Sequence, residues 1–146
     1  MSADDERAVE AEEVLRRLVR WAGRRDDVRA LALVGSWAYG APREGSDVDV
    51  VLLTETPSDY TEREDWLGEV GAVRLVQTAD WGAITERRLI LPSGLEVELG
   101  VGSPSWASLD PLDAGTRRVA SDGLRVLYDP DGLLAAVVAA CATSSG

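Results

Sequence analysis

The sequence predicts an α/β or α+β domain, a β-sheet with helices packed over it. Three observations point there. A stretch with helix-period apolar residues is followed by short continuous apolar runs of strand length. The elements follow in the order helix, strand, turn, strand, helix and then further strands. The 146 residues hold no internal repeat and no linker that would divide them, so a single domain covers the chain, with a core over 8–101 and a C-terminal loop, short strand and helix over 102–142.

The elements can be justified in turn. Ala8 to Trp21 carries Val9, Val14, Leu15, Leu18, Val19 and Trp21 at amphipathic-helix spacing, and Gly23 supplies a stop. Arg29 to Val34 is a short apolar run that ends at Gly35-Ser36, which reads as a buried strand entering a turn. A segment of small and turn residues, Trp37 to Ser46, leads into a second interior strand, Asp47 to Leu53. Thr54 to Gly71 is polar, with a helix around Thr61 to Val70. Val73 to Val76, Ile84 to Leu91 and Leu95 to Val101 read as three more strands, the last two joined as a hairpin by Pro92-Ser93-Gly94. Ser103 to Gly115 reads as an ordered surface loop with two prolines, and Asp122-Gly123 as a turn. Leu124 to Tyr128 is a short strand, Asp129 to Gly132 a helix start, and Leu133 to Ala142 the closing helix.

Composition excludes several mechanisms. There is no histidine and no lysine, which removes histidine-based triads, histidine zinc sites, Schiff bases and the lysine-dependent phosphate loop. Chemistry must run on carboxylates, hydroxyls, arginine and bound metal. A net charge of −11 repels a phosphate backbone, so no long nucleic acid is expected as partner. Leu133 to Ala142 is about half the roughly 20 residues of a membrane span, so no membrane association is expected. The acidic start, Met1 to Glu6, lacks a secretory pattern, and a cytoplasmic location follows as the expectation. Cys141, in an apolar run, reads as a buried structural thiol.

The residues that carry chemistry cluster around the first turn. Gly35 lets the backbone approach a phosphate, and Ser36 places a hydroxyl and an amide there. Asp47 and Asp49 stand two apart on a strand, hence on one face at about 7 Å. Bare carboxylates so placed repel one another. Divalent metal resolves the conflict, because magnesium prefers carboxylate and phosphate oxygens. Gly94 to Gly100 offers a third acid on a strand that puts Glu96 and Glu98 on one face and Leu95, Val97 and Leu99 on the other. Glu98, between Val97 and Leu99, is preferred as metal ligand or as base, with Glu96 the runner-up. Arg43 is a candidate to neutralise triphosphate charge. Arg87 and Arg88, being adjacent on a strand, should face opposite ways, so one at most reaches the site. Trp37 and Tyr39 flank the turn, whereas Trp21, Trp66 and Trp106 read as core or interface aromatics.

Gly35-Ser36, ten intervening residues, Asp47-x-Asp49 and a later apolar-Glu-apolar strand together resemble the DNA polymerase β-like nucleotidyltransferase superfamily. The likeness spans about Ala8 to Val101. It implies a mixed sheet with helices packed on it, Ser36 at the triphosphate, Asp47 and Asp49 on Mg²⁺ or Mn²⁺, and Glu98 completing the triad. Small bacterial members akin to aminoglycoside adenylyltransferases and to minimal antitoxin-type enzymes are the most similar. Two departures stand out: the extra helical acceptor domain of the aminoglycoside enzymes has no counterpart here, and their third carboxylate is often aspartate. The implied activity is transfer of a nucleoside monophosphate, AMP from ATP in the leading case, to a hydroxyl of a small molecule or protein, with release of pyrophosphate. The alternative is an antitoxin-like nucleotide-binding partner of a helical toxin with little turnover. A homodimer or a helical protein partner fits either.

Overall fold

The computed structural model describes residues 3–35, 38, 48–109 and 111–144. Among the described residues, six strands form one mixed sheet: β1 (Val28–Val34), β2 (Val48–Thr54), β3 (Arg74–Asp80), β4 (Thr85–Ile90), β5 (Glu96–Gly102) and β6 (Leu124–Tyr128). Their spatial order is β3-β4-β5-β2-β1-β6. Every neighbouring pair is antiparallel except β2 and β5, which run parallel. The helices are α1 (Ala3–Gly23), α2 (Ser58–Thr61), α3 (Ala114–Asp122) and α4 (Leu133–Ser144), with 3₁₀ turns at Leu67–Val70 and Pro104–Ala107. Among the described residues, no helix is long and apolar enough to cross a membrane.

Strand alternation divides the sheet into two faces. On the first, Leu31, Leu33, Val48, Val50, Leu52, Val97 and Leu99 meet Ala11, Leu15, Leu18 and Trp21 of α1. The helix forms because those residues recur at i, i+4 and i+7, giving one apolar stripe to bury. Trp21, Tyr60 and Trp66 pack edge to face or tilted, with ring centroids 5.5 to 6.2 Å apart. Polar groups beside them are paired. Asp27 accepts from the Tyr60 hydroxyl and from Thr54 Oγ1 at 2.9 Å, and the Arg25 guanidinium lies over both the Trp21 and Tyr60 rings. On the second face, Ala30, Ala32, Val51 and Leu53 meet Trp106, Leu134 and Val137. Cys141 is partly buried against that second core.

The strands fall close to the runs read from the sequence, and the Pro92-Ser93-Gly94 turn joins antiparallel β4 and β5. Two regions differ. The helix expected around Thr61 to Val70 is two short pieces, α2 and the 3₁₀ turn, the latter closed by Gly71 at φ +85°. Here Trp66, Leu67 and Val70 are buried at helical spacing without a continuous helix. The second difference is α3, which the sequence reading left unassigned. Its start is fixed by Asp113, whose carboxylate accepts from the amides of Gly115 and Thr116 at 2.8 and 3.2 Å. Thr116 then donates to the Trp106 carbonyl at 2.8 Å, tying α3 to the preceding turn.

Candidate active site

One cross-strand row organises the site. Reading across the sheet, Gln77 of β3 pairs with Arg88 of β4, Arg88 with Glu98 of β5, Glu98 with Asp49 of β2, and Asp49 with Val34 of β1. Val48 and Val50 point into the first core, so Asp49 projects from the second face, and Val97 and Leu99 set Glu98 likewise. Adjoining strands lie about 4.7 to 4.9 Å apart, so the registered Asp49 and Glu98 stand side by side on this face. The expected facing of Glu96 and Glu98 away from Val97 and Leu99 holds.

Gly35 closes the row at the end of β1. Its φ is +74°, a left-handed conformation that side-chain-bearing residues rarely adopt. A Cβ there would lie 2.5 Å from Asp49 Oδ2. Glycine is thus required twice, by its backbone angle and by the carboxylate beside it. Ser36, Arg43 and Asp47, together with Trp37 and Tyr39, lie outside the described residues.

Arg88 and Arg87 separate to opposite faces as adjacent strand residues must. Arg88 Nη2 donates to Glu98 Oε1 and Nη1 to Glu96 Oε2 at 3.4 Å. Of the two acids, Glu98 is the better shielded, with 18% of its side chain exposed against 31% for Glu96. Arg87 turns the other way. It is buried and donates to the carbonyls of Thr61 at 2.7 Å and Arg63 at 3.0 Å, which tethers α2 and the loop after it. Burial pushes its pKa down.

A cleft of about 380 Å³ opens over the row, lined by Gly35, Asp49 and Glu98 together with Trp81, Glu86 and Trp106. A hollow of about 140 Å³ adjoins it at Trp81, Arg88 and Glu98. Trp81 is 69% exposed and sits on a tight turn, its amide bonded to the Ile84 carbonyl at 2.9 Å and the Gly82 amide to Asp80 Oδ1 at 2.8 Å. A larger groove, about 480 Å³, runs along α1 between Glu10, Arg17 and Pro92. Volume favours that groove, but its lining mixes Glu10 and Glu13 with Arg16, Arg17 and Arg20, whereas Asp49 and Glu98 stand in register beside Gly35, so the carboxylate row is the better candidate.

Chemically, Asp49 and Glu98 offer hard oxygen donors of the kind magnesium or manganese prefers. Among the described residues, no group of three or more such side chains lies together. Trp81, Glu86 and Asp122 were not singled out from the sequence, though all three border the cleft. For Glu86 the signal was present, since it shares a face of β4 with Arg88.

Comparison with known proteins gives two results. Residues 12–92, more than half of the chain, match the family model described as a nucleotidyltransferase domain. Among solved structures, the chain is similar to an aminoglycoside 6-adenyltransferase from Bacillus subtilis, at 15% identity and a TM-score of 0.52, over 66% of this chain and 36% of that one. It is also similar to the polymerase core of TRAMP, an RNA surveillance complex, at 16% identity and a TM-score of 0.46, over 68% and 32%. A poly(U) polymerase is matched at 17% identity and a TM-score of 0.45, over 83% and 40%. The chain thus spans well under half the length of these structures. No curated protein matches it significantly.

Proposed function

The chain belongs to the nucleotidyltransferase domain family, and on that premise we propose that it moves AMP from ATP to a hydroxyl of a small-molecule or protein acceptor, releasing pyrophosphate. The observation that carries the reading is the register pair of Asp49 and Glu98 beside Gly35. In this reading Asp47, Asp49 and Glu98 hold Mg²⁺ or Mn²⁺, and the donor set fits, being carboxylate oxygen throughout. The ion, when bound, neutralises triphosphate charge and polarises the α-phosphoryl group.

The chain's own residues do the rest. Gly35 leaves space for the phosphates, and Ser36 and Arg43 bind them. The acceptor oxygen bonds to the α-phosphorus as the bond to the β-phosphate oxygen breaks, and pyrophosphate departs with that electron pair. The acceptor proton passes to a Glu98 carboxylate oxygen. Trp81 and Trp106 wall the cleft and offer apolar surface beside the reacting groups. Glu86 and Asp122 add negative charge to Asp49 and Glu98 around the cleft, which favours an acceptor carrying positive charge.

Titration calorimetry of ATP with and without Mg²⁺, on the wild type and on Asp49→Asn, tests the donor side. Binding that depends on Mg²⁺ and weakens in the variant is expected; equal affinity in every case rules the reading out. Mass spectrometry of candidate acceptors for a gain of one adenylate tests the other half.

A further inference from the structure

Arg88 occupies a position that the proposed reaction leaves unexplained. Among the described residues lining the cleft and the adjoining hollow, it is the one cation, set against Asp49, Glu86, Glu98 and Asp122. It spans two acids on β5, holding Glu98 Oε1 with one nitrogen and Glu96 Oε2, at 3.4 Å, with the other. In the cross-strand row Glu98 therefore stands between a guanidinium on β4 and a carboxylate on β2. A metal ion shared by Asp49 and Glu98 would meet a fixed positive charge on the far side of its own ligand. A guanidinium keeps its charge at any working pH, so proton loss offers no relief. Rotation does: the Arg88 side chain is 32% exposed and borders the 140 Å³ hollow.

We propose that Arg88 is the resident counter-cation of the metal-free site, a positioning residue that fixes the Glu98 carboxylate from the side away from Asp49 and is exchanged for the divalent ion when that ion binds. The inference rests on the metal-dependent reading above. It differs from a purely structural role in the sign of one measurable effect. An arginine that only braces β4 against β5 would, on removal, loosen the site and weaken metal binding. A competing cation would, on removal, strengthen it.

The test is a Mn²⁺ titration of the nucleotide-free full chain, followed by electron paramagnetic resonance. Arg88→Gln and Arg88→Met should each bind Mn²⁺ about tenfold more tightly than the wild type, as expected when a like charge a few ångströms away is removed. In the Glu98→Gln background the gain should vanish, since the competition acts through that carboxylate. Unchanged or weaker binding in the folded Arg88 variants, or a gain that survives without Glu98, overturns the proposal. A second measurement needs no variant at Arg88. The side-chain ¹⁵N–¹H resonance of Arg88 in the wild type should shift on saturation with Mg²⁺, and a resonance that stays in place counts equally against the exchange. If the wild type binds Mn²⁺ through Asp49 and these effects fail, this inference alone falls. If the wild type binds no Mn²⁺ without nucleotide, this inference falls as well, and the metal-dependent function is judged separately by whether ATP binding depends on Mg²⁺.

Discussion

Arg87 and Arg88 are neighbours in sequence and identical in chemistry, yet they belong to different halves of the molecule. Arg87 lies on the face covered by α1, α2 and the Trp21–Tyr60–Trp66 cluster, where it is buried and spends its donors on backbone carbonyls. Arg88 lies on the other face, half open over β4 and β5, where its partners are carboxylates. The first face concentrates apolar area and polar groups that are mostly paired, the buried Arg87 Nε excepted, which is what stability requires. The second gathers like charges that stability alone would not select. One sheet serves both purposes because strand residues alternate, so scaffold and site are separated by a single peptide bond.

Substitutions can break that division or sharpen it. The largest expected effect is on the scaffold: Trp21→Ala should cost about 3–5 kcal/mol of stability, read as a fall in the urea midpoint, while leaving Mg²⁺-ATP binding at low temperature unchanged. Asp49→Asn should do the converse. Turnover, followed by pyrophosphate release, should fall about 10²- to 10³-fold with little change in melting temperature. Gly35→Ala should cross the boundary, since its methyl group meets the Asp49 carboxylate and its backbone angle is left-handed. A stability loss of about 1–2 kcal/mol together with reduced turnover is expected. Trp81→Ala should leave stability within about 0.5 kcal/mol and raise the acceptor KM, by about tenfold at most.

The smallest effect concerns pH. Burial works against the Asp27 carboxylate, but the hydroxyls of Tyr60 and Thr54 and the nearby Arg25 outweigh it and hold its pKa below the usual aspartate range. A carboxyl depressed in the folded state adds stability above its unfolded pKa and loses that contribution as pH falls through the folded value. The melting-temperature gap between wild type and Asp27→Asn should therefore be widest at neutral pH and close on acidification, which thermal melts across that range will show.

Much of this division was legible in the sequence, because alternation is a local property. The facing of Glu96 and Glu98, the split between Arg87 and Arg88, and the core roles of Trp21, Trp66 and Trp106 all follow from period and residue type. What escaped had weak periodicity. In α3 the apolar side chains that reach the core are few, chiefly Val119 and Ala120, so the Asp113 cap was its clearest signal. Around Thr61 to Val70 the apolar spacing was helical, but the stretch from Glu62 to Asp65 is polar and the backbone breaks there. Trp81 was invisible as a site residue, since its place beside Glu98 depends on β3 and β4 folding back along β5. The pairing of Asp49 with Glu98 likewise required knowing which strands adjoin.

The parallel pairing of β2 and β5 has a consequence in time as well as in space. Parallel neighbours cannot be joined by a tight turn, and here the β3–β4 hairpin lies between β2 and β5 along the chain. Pairing this distant along the chain is slow, because closing the intervening segment costs entropy before the contacts offset it. A nascent polypeptide leaving the ribosome, or a fragment clipped ahead of β5, carries Asp49 without its opposite acid. The charge cluster therefore exists only in the finished molecule, and a truncated product cannot assemble it.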